Sequence, residues 1–193
     1  RDRSTDAAAT LKGMNRLFDL GCTLKDLMEL GVNIGADVPY CVMGGTALAE
    51  GIGEKLTPLA PAPDCYVLVA KPDINVSTKY VYEHLDAQEI RKHPDIDGMV
   101  EAIAEESLQG ILDRMENVLE TVTVSAYPII QKIKDRMKEL GAINSLMSGS
   151  GPTVFGLFTN QTAAQAAYEE LRYGSSQDLA KQVYLTSFYN RKG

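Results

Sequence analysis

Three prolines, at positions 58, 61 and 63, constrain the fold of this chain more than any other feature. Proline fixes the backbone torsion φ and donates no hydrogen bond, so this spacing makes a stiff linker rather than a helix or a central strand. A continuous apolar run follows at residues 65–70 and predicts a buried strand. The sequence therefore predicts two domains, residues 1–62 and residues 63–193, joined by this linker.

Local patterns on either side of the linker predict a mixture of helices and strands. Before it, apolar residues at helical spacing predict a helix over 4–20, with Ser4 or Thr5 as its cap, and a helix over 24–30. A hairpin or a bulged strand pair is expected over 46–50 and 54–57. After it, the pattern predicts strands at 65–70, 143–147, 153–158 and 182–188, a loop at 86–95, and helices at 77–85, 97–106, 108–122, 127–140 and 162–173. This order predicts the α+β class, with helices packed on one face of a mainly antiparallel sheet.

Composition narrows the classes of partner. The 193 residues carry a formal net charge of −7 at pH 7, which argues against a nucleic-acid surface because phosphate contacts need clustered Lys and Arg. No apolar stretch approaches the ~20 residues that span a bilayer, so no membrane partner is expected. Three widely spaced cysteines, without a CxxC pair or a histidine cluster, predict buried thiols in a reducing cytoplasm rather than a zinc site or a disulfide framework.

One acid, Asp37, stands inside an otherwise apolar run, on a Gly-Ala-Asp-Val-Pro corner at residues 35–39. Glycine and proline fix the backbone there, and a short apolar turn is expected from the corner to Val42. A lone carboxylate in this position is either a helix cap or a group placed to accept a proton. Periodicity alone favours the cap.

Small residues form a second candidate site at residues 148–152, Ser-Gly-Ser-Gly-Pro, between two apolar strands. Such a segment leaves backbone amides exposed and lets a ligand approach the main chain closely. The alternative is a tight turn that merely needs glycine. The spacing and the lysine of a Walker A loop are absent, and the segment is not a dinucleotide fingerprint either.

Three segments together resemble the GHMP small-molecule kinase superfamily. Residues 34–54 resemble its aspartate corner, residues 146–155 are similar to its third, glycine-rich motif, and Ser-Thr-Asp-Ala-Ala-Ala at residues 4–9 resembles the end of its second motif. The resemblance runs in order over essentially the whole chain. It implies a two-domain sandwich in which residues 1–62 are the remainder of the ATP-binding domain. Residues 63–193 would be a ferredoxin-like C-terminal substrate domain.

The resemblance also implies roles for particular residues. Asp37 would be the catalytic base, and Ser4 and Thr5 would bind the phosphates of ATP at a helix N-terminus, with Ser4 as a Mg²⁺ ligand. The positions that would face the substrate are Thr78, Tyr82, Gly149, Ser150 and Gly151. For Thr78 and Tyr82 the alternatives are a helix cap and a core aromatic residue.

The continuation of the aspartate corner, from Gly45-Thr46-Ala47 to Gly51-Ile52-Gly53-Glu54, indicates one branch of the superfamily. That branch uses ATP to phosphorylate the 2-hydroxyl of 4-diphosphocytidyl-2-C-methyl-D-erythritol in the non-mevalonate isoprenoid route. Kinases for mevalonate, homoserine or a sugar stay open as alternatives, as does a non-catalytic ligand-binding fragment. The small molecules are the only partners expected, and monomer and homodimer both stay open.

Departures from the family pattern lie at the start of the chain. Arg1-Asp2-Arg3 stand where the family has glycines, and side chains there would crowd the ATP phosphates. The family's first motif, and the lysine that pairs with its aspartate, are missing. We therefore expect this chain to be a fragment that lacks the N-terminal portion and holds an incomplete active site.

Overall fold

The computed structural model describes residues 3–85 and 93–189. Its contacts divide them into two compact units, one of residues up to Ala62 together with Tyr189, and one of residues 63–188. Arg1 and Asp2, and most of the loop expected at 86–95, lie outside the described residues.

The described residues of the first unit form three helices and a hairpin, namely α1 (Arg3–Leu17), α2 (Leu24–Val32), α3 (Val38–Met43), β1 (Ala47–Glu50) and β2 (Lys55–Pro58). A capping box starts α2: the Thr23 hydroxyl accepts the Asp26 N–H at 3.2 Å, and the Asp26 carboxylate accepts the Thr23 N–H at 2.8 Å. Strands β1 and β2 pair antiparallel, with Glu50 opposite Lys55, which confirms the predicted hairpin. The helices share a small core of Ala8, Leu27, Val38 and Val42.

Two predictions in this unit are wrong. The segment after Asp37 is the helix α3 rather than a turn, because Pro39 lies in its first turn, where a missing N–H costs no helical hydrogen bond. Gly31 lets α2 pack closely against α3, because a Cβ at position 31 would lie only 3.0 Å from Val38 Cγ1. Helix α1 already begins at Arg3, so Ser4 and Thr5 lie within its first turn and do not precede it as caps.

The second unit contains the remaining elements. Its strands are β3 (Tyr66–Lys71), β4 (Asn144–Met147), β5 (Val154–Phe158) and β6 (Gln182–Ser187). Its helices are α4 (Thr78–Glu83), α5 (Ile96–Ala104), α6 (Leu108–Arg114), α7 (Glu120–Ala126), α8 (Ile129–Glu139) and α9 (Gln161–Tyr173). A single 3-10 turn, Gln177–Leu179, follows α9.

The four strands form one antiparallel sheet in the order β4-β5-β3-β6. In this register Ala70 of β3 lies between Val154 and Val183, so these side chains share one face. Helices α8 and α9 contact the sheet, and their buried side chains complete the core on that face, including Ile133 and Leu171. The predicted α+β class, with helices on an antiparallel sheet, is confirmed.

The prediction of one continuous helix over 108–122 is wrong. Helix α6 ends at Arg114, and Met115 takes the extended backbone torsions φ −65° and ψ 105°. Asn117 then accepts the N–H of Leu119 on its side-chain oxygen at 3.0 Å before α7 begins at Glu120. Asparagine competes in this way with the hydrogen bonds of a helix, and periodicity does not register it.

In the part of the chain that the structure describes, none of the helices combines the length with the apolar character that crossing a bilayer requires.

Candidate active site

The carboxylate of Asp37 stands directly before α3 and makes no capping hydrogen bond to it. A capping side chain accepts the N–H of the second or third helical residue from an extended backbone. Asp37 has helical torsions instead, φ −86° and ψ −11°, and the second helical residue is Pro39, which has no N–H to offer. The helix-cap alternative for Asp37 is therefore wrong, and the side chain is exposed.

The first turn of α1 lies against α3, the helix that follows Asp37. Thr5 Oγ1 is 3.8 Å from Cys41 Sγ, a hydrogen-bond distance for sulfur, and Lys12 Nζ donates to the Cys41 carbonyl at 3.4 Å. Cys41 lies one helical turn beyond Asp37, on the same side of α3. The structure thus brings the predicted phosphate-binding turn, with Ser4 and Thr5, to the helix that Asp37 begins.

Groups that suit ATP phosphates and Mg²⁺ are present in this first turn. Backbone amides at the start of a 15-residue helix favour an anion, and the hydroxyls of Ser4 and Thr5 are hard oxygen donors. Among residues 3–85 and 93–189, no group of three or more His, Cys, Asp or Glu side chains is placed to hold a metal ion. A cation bound here would take most of its ligands from phosphate oxygens and water, which is usual for Mg²⁺.

In the second unit, residues 148–151 form a tight turn between β4 and β5. Gly149 and Gly151 have φ values of 56° and 82°, in the left-handed region that favours glycine. The Ser148 N–H donates to the Thr153 carbonyl at 2.8 Å, and the Gly151 N–H donates to the Ser148 carbonyl at 3.0 Å. Within the described ranges, no residue accepts the N–H of Gly149 or of Ser150. The turn both requires glycine and leaves amides available to a ligand.

Thr78 meets this turn from a distant part of the sequence. Its hydroxyl oxygen lies 2.9 Å from the Ser150 hydroxyl oxygen, across a separation of 72 residues. The capping alternative for Thr78 is wrong, because Ser77 is the cap and accepts the Tyr80 N–H at 3.3 Å. The structure therefore joins two of the predicted substrate-binding residues.

Tyr82 lies one helical turn after Thr78, on the same face of α4. Its side chain is 60% exposed, whereas the neighbouring Val81 is fully buried in the core. The core-aromatic alternative for Tyr82 is therefore wrong. The face of α4 that touches the glycine turn also carries an accessible aromatic ring.

Sequence reasoning missed the side chains that hold the turn in place. Asn117 Nδ2 donates to the carbonyls of Met147 and Gly149, each at 2.8 Å. Thr123 Oγ1 donates to the Ser150 carbonyl at 3.2 Å. Asn117 lies inside the segment 108–122 that periodicity assigns to one helix, and Thr123 follows directly after that segment. An asparagine inside a predicted helix is the one local signal that could have indicated a break there.

Each of the two units contains a segment that matches a protein-family model. The model of the GHMP kinases N terminal domain matches residues 4–45, and the model of the GHMP kinases C terminal domain matches residues 99–175. The chain belongs to the GHMP kinase family. The predicted resemblance is confirmed, and the GHMP kinase models between them include Asp37 and the turn at residues 148–151.

Individual GHMP kinases are similar over almost the whole chain. The 4-diphosphocytidyl-2-C-methyl-D-erythritol kinase of Lachnoclostridium phytofermentans is 56% identical over 98% of this chain and 64% of that protein. A solved 4-(cytidine 5'-diphospho)-2C-methyl-D-erythritol kinase has a TM-score of 0.79 at 30% identity, over 95% of this chain and 63% of that one. A homoserine kinase from Cytophaga hutchinsonii has a TM-score of 0.76 at 25% identity, over 94% and 64%. The chain thus spans less than two thirds of each relative's length.

Proposed function

We propose that this chain contributes the catalytic base and the acceptor-binding surface of an ATP-dependent kinase for the 2-hydroxyl of 4-diphosphocytidyl-2-C-methyl-D-erythritol. The observation that carries this proposal is the exposed carboxylate of Asp37, which caps no helix and begins the helix that packs on the first turn of α1. The 56% identity to the L. phytofermentans erythritol kinase supports the choice of substrate.

Asp37 accepts the proton of the attacking hydroxyl in the proposed reaction. A tertiary alcohol is a poor nucleophile until its proton is removed or shared, and a positioned general base contributes ~10² to 10⁴ in rate. The exposed Asp37 carboxylate makes no capping hydrogen bond, so among the described residues it can turn toward that proton without uncapping α3. In-line placement of the phosphoryl group and stabilisation of its charge supply the remaining rate enhancement.

The ATP phosphates bind at the start of α1 in this proposal. GHMP kinases use ATP, and the match to the N-terminal family model starts at Ser4. The amides of the first turn and the helix dipole favour the phosphate charge, while Ser4 and Thr5 offer hydroxyls. Mg²⁺, held by Ser4 and phosphate oxygens, would neutralise negative charge that develops on the transferred group.

The acceptor substrate binds on the second unit in this proposal. The N–H groups of Gly149 and Ser150, which no described residue accepts, can donate to its oxygen atoms, and Gly151 supplies the backbone conformation that presents them. The paired hydroxyls of Thr78 and Ser150 add donors and acceptors beside these amides. Tyr82 offers an exposed ring on which a pyrimidine base can stack. Residues 1–62 and 63–193 therefore divide into a nucleotide side and an acceptor side.

The three cysteines bear on the cellular location that we propose for this enzyme. Cys22, Cys41 and Cys65 are all free thiols, but only Cys65 is buried, so the prediction of buried thiols is wrong for the half-buried Cys22 and Cys41. Burial raises the pKa of the Cys65 thiol, which makes it less reactive. Free thiols support the proposed cytoplasmic location, where cysteines stay reduced. Small molecules are the only partners proposed, and the oligomeric state stays a prediction of monomer or homodimer.

A substrate panel tests the proposal. We define the completed chain as these 193 residues joined to the part of the L. phytofermentans relative that lies outside the match. With ATP and Mg²⁺, the completed chain should phosphorylate 4-diphosphocytidyl-2-C-methyl-D-erythritol at least about 100-fold faster, in kcat/KM, than homoserine, mevalonate or galactose. Preference for any other acceptor would overturn the assigned substrate.

A homoserine kinase is the second candidate, because the structure of such an enzyme matches this chain with a TM-score of 0.76. The same panel separates the two functions. Titration of the 193-residue chain by itself with the cytidine compound addresses the ligand-binding alternative. Binding by the chain alone, together with no turnover by the completed chain, would favour a non-catalytic fragment.

A further inference from the structure

The ion pair between Lys134 and Glu120 is the least exposed among the residues that the structure describes. The two side chains are 10% and 17% exposed, compared with 30% and 25% for the pair of Arg136 and Glu170. Removing two charges from water costs several kcal/mol per ion, so a pair at this depth is weak evidence for added stability. Its position in the fold indicates a role other than stability, because Glu120 also contacts the end of β4.

Glu120 uses its second oxygen to hold the end of β4. Its Oε2 contacts Lys134 Nζ, and its Oε1 accepts the N–H of Met147 at 2.7 Å. Met147 is the last residue of β4, and the Ser148–Gly151 turn begins directly after it. The carboxylate thus joins α7, α8 and the strand at the entry to the turn. Lys134 itself is fixed nearby, because its carbonyl accepts the Ser145 hydroxyl at 3.0 Å.

The neighbours of Glu120 on the same segment hold the carbonyl side of the turn. Asn117 binds the carbonyls of Met147 and Gly149, and Thr123 binds the carbonyl of Ser150. A trans peptide directs its carbonyl and its N–H to opposite sides. Fixing the Gly149 carbonyl on Asn117 therefore points the Ser150 N–H away from Asn117, and none of the described residues accepts this N–H.

We propose that Glu120, with its charge held by Lys134, is a positioning residue for acceptor binding. It does not touch the substrate but fixes the strand end from which the Gly149 and Ser150 amides project. The inference rests on the proposed function, because it takes the ligand of this turn to be the phosphoryl acceptor. Its consequence is selective: loss of Glu120 should weaken acceptor binding and leave the nucleotide side unchanged.

The kinetic test uses Glu120→Gln in the completed chain. We expect the KM for the erythritol acceptor to rise about tenfold, while the KM for ATP changes less than about twofold. Glu170→Gln is the matched control, because Glu170 also pairs with a cation on α8 but lies outside the turn. Lys134→Arg keeps the ion pair and should retain an acceptor KM close to that of the unsubstituted protein.

Equal rises in acceptor KM for Glu120→Gln and Glu170→Gln would overturn the proposal, since they would reflect general loss of stability. An unchanged acceptor KM in Glu120→Gln would overturn it as well. Hydrogen exchange of the Met147 amide provides a reading that does not need activity. In the 193-residue chain, Glu120→Gln should speed that exchange about tenfold or more and leave the Val183 amide unchanged.

The two proposals fail in different ways. If the unsubstituted completed chain does not phosphorylate the erythritol compound, the proposed function is overturned. Unaltered exchange at Met147 in Glu120→Gln would instead overturn the positioning role, whatever the substrate is.

Discussion

At the scale of single residues, the glycine turn illustrates how two similar positions meet different constraints. Both Gly149 and Gly151 have positive φ, but a Cβ on Gly149 would have open space within 4 Å, whereas one on Gly151 would lie 2.7 Å from Met147 Sδ. Met147 is almost completely buried, so its sulfur has little room to move away. Gly151 is therefore required by packing as well as by backbone conformation.

Alanine substitutions should separate these two requirements. Gly149→Ala should lower the free energy of unfolding by about 1 kcal/mol, the cost of a left-handed non-glycine residue. Gly151→Ala should lower it by roughly twice as much or more, since the contact with Met147 adds to that strain. Urea denaturation of the two variants measures both values. Equal losses would contradict the packing role assigned to Gly151.

Some residues of the candidate site could be predicted from the sequence, and others could not. Asp37, Thr78 and Ser150 were all assigned through the family resemblance, and the structure excludes the capping roles of Asp37 and Thr78. Asn117 and Glu120 were not assigned, because their partners are 30 and 27 residues away. A local pattern carries no information about hydrogen bonds of that separation.

At the scale of elements, α8 and α9 are joined by a charged cluster around Glu170. Its carboxylate accepts hydrogen bonds from Ser175 Oγ at 2.6 Å, from Ser176 Oγ at 2.9 Å and from Arg136 Nη2 at 3.2 Å. These bonds, the Ser175 bond foremost, lower the pKa of Glu170 from 4.5 to about 2. The cluster therefore stabilises the fold only while Glu170 is ionised.

Stability should depend on pH through this group in a defined window. A carboxyl with a lowered pKa in the folded state contributes stability above its unfolded pKa, and this contribution is lost as pH falls from about 4.5 to about 2. Urea midpoints measured from pH 6 to pH 2 should fall less steeply in Glu170→Gln than in the unsubstituted chain. Parallel curves would show that Glu170 is not the group responsible.

Elements were predictable where one local rule dominates. The strand at residues 65–70 and the hairpin around Gly51 follow from apolar runs and turn residues, and the structure contains both. The prediction of one helix over 108–122 was wrong because the Asn117 side chain hydrogen-bonds to a turn that is distant in sequence, and the chain does not continue as a helix there. The segment from Val38 to Met43 is a helix because it packs on α1 and α2, and its six residues are too few for periodicity to reveal it.

At the scale of the whole molecule, the two units have cores of very different size. The second unit buries an extensive cluster that includes Leu68, Ile133, Phe158 and Leu171. Among the described residues of the first unit the buried cluster is small, namely Ala8, Leu27, Val38 and Val42, and apolar side chains stay exposed, including Leu17 at 77% and Phe18 at 63%. The domain boundary predicted at residues 62 and 63 can be tested through this difference.

Separate expression of the two segments should give opposite results. Residues 63–193 should show a cooperative thermal transition by circular dichroism, because all the core residues of the second unit lie within them. Residues 1–62 should show none, since a buried cluster as small as that of Ala8, Leu27, Val38 and Val42 cannot offset the entropy of ordering the chain. A cooperative transition in the short segment, or none in the long one, would contradict this division.

The most direct measurement of the central claim compares Asp37→Asn with Asp19→Asn in the completed chain. Both substitutions remove one exposed carboxylate from the first unit, but only Asp37 stands before α3. We predict that Asp37→Asn lowers kcat for the erythritol compound at least about 100-fold, with an acceptor Kd within about threefold of the unsubstituted value. Asp19→Asn should change neither quantity. A kcat for Asp37→Asn equal to that of Asp19→Asn would contradict the role of Asp37 as the proton acceptor.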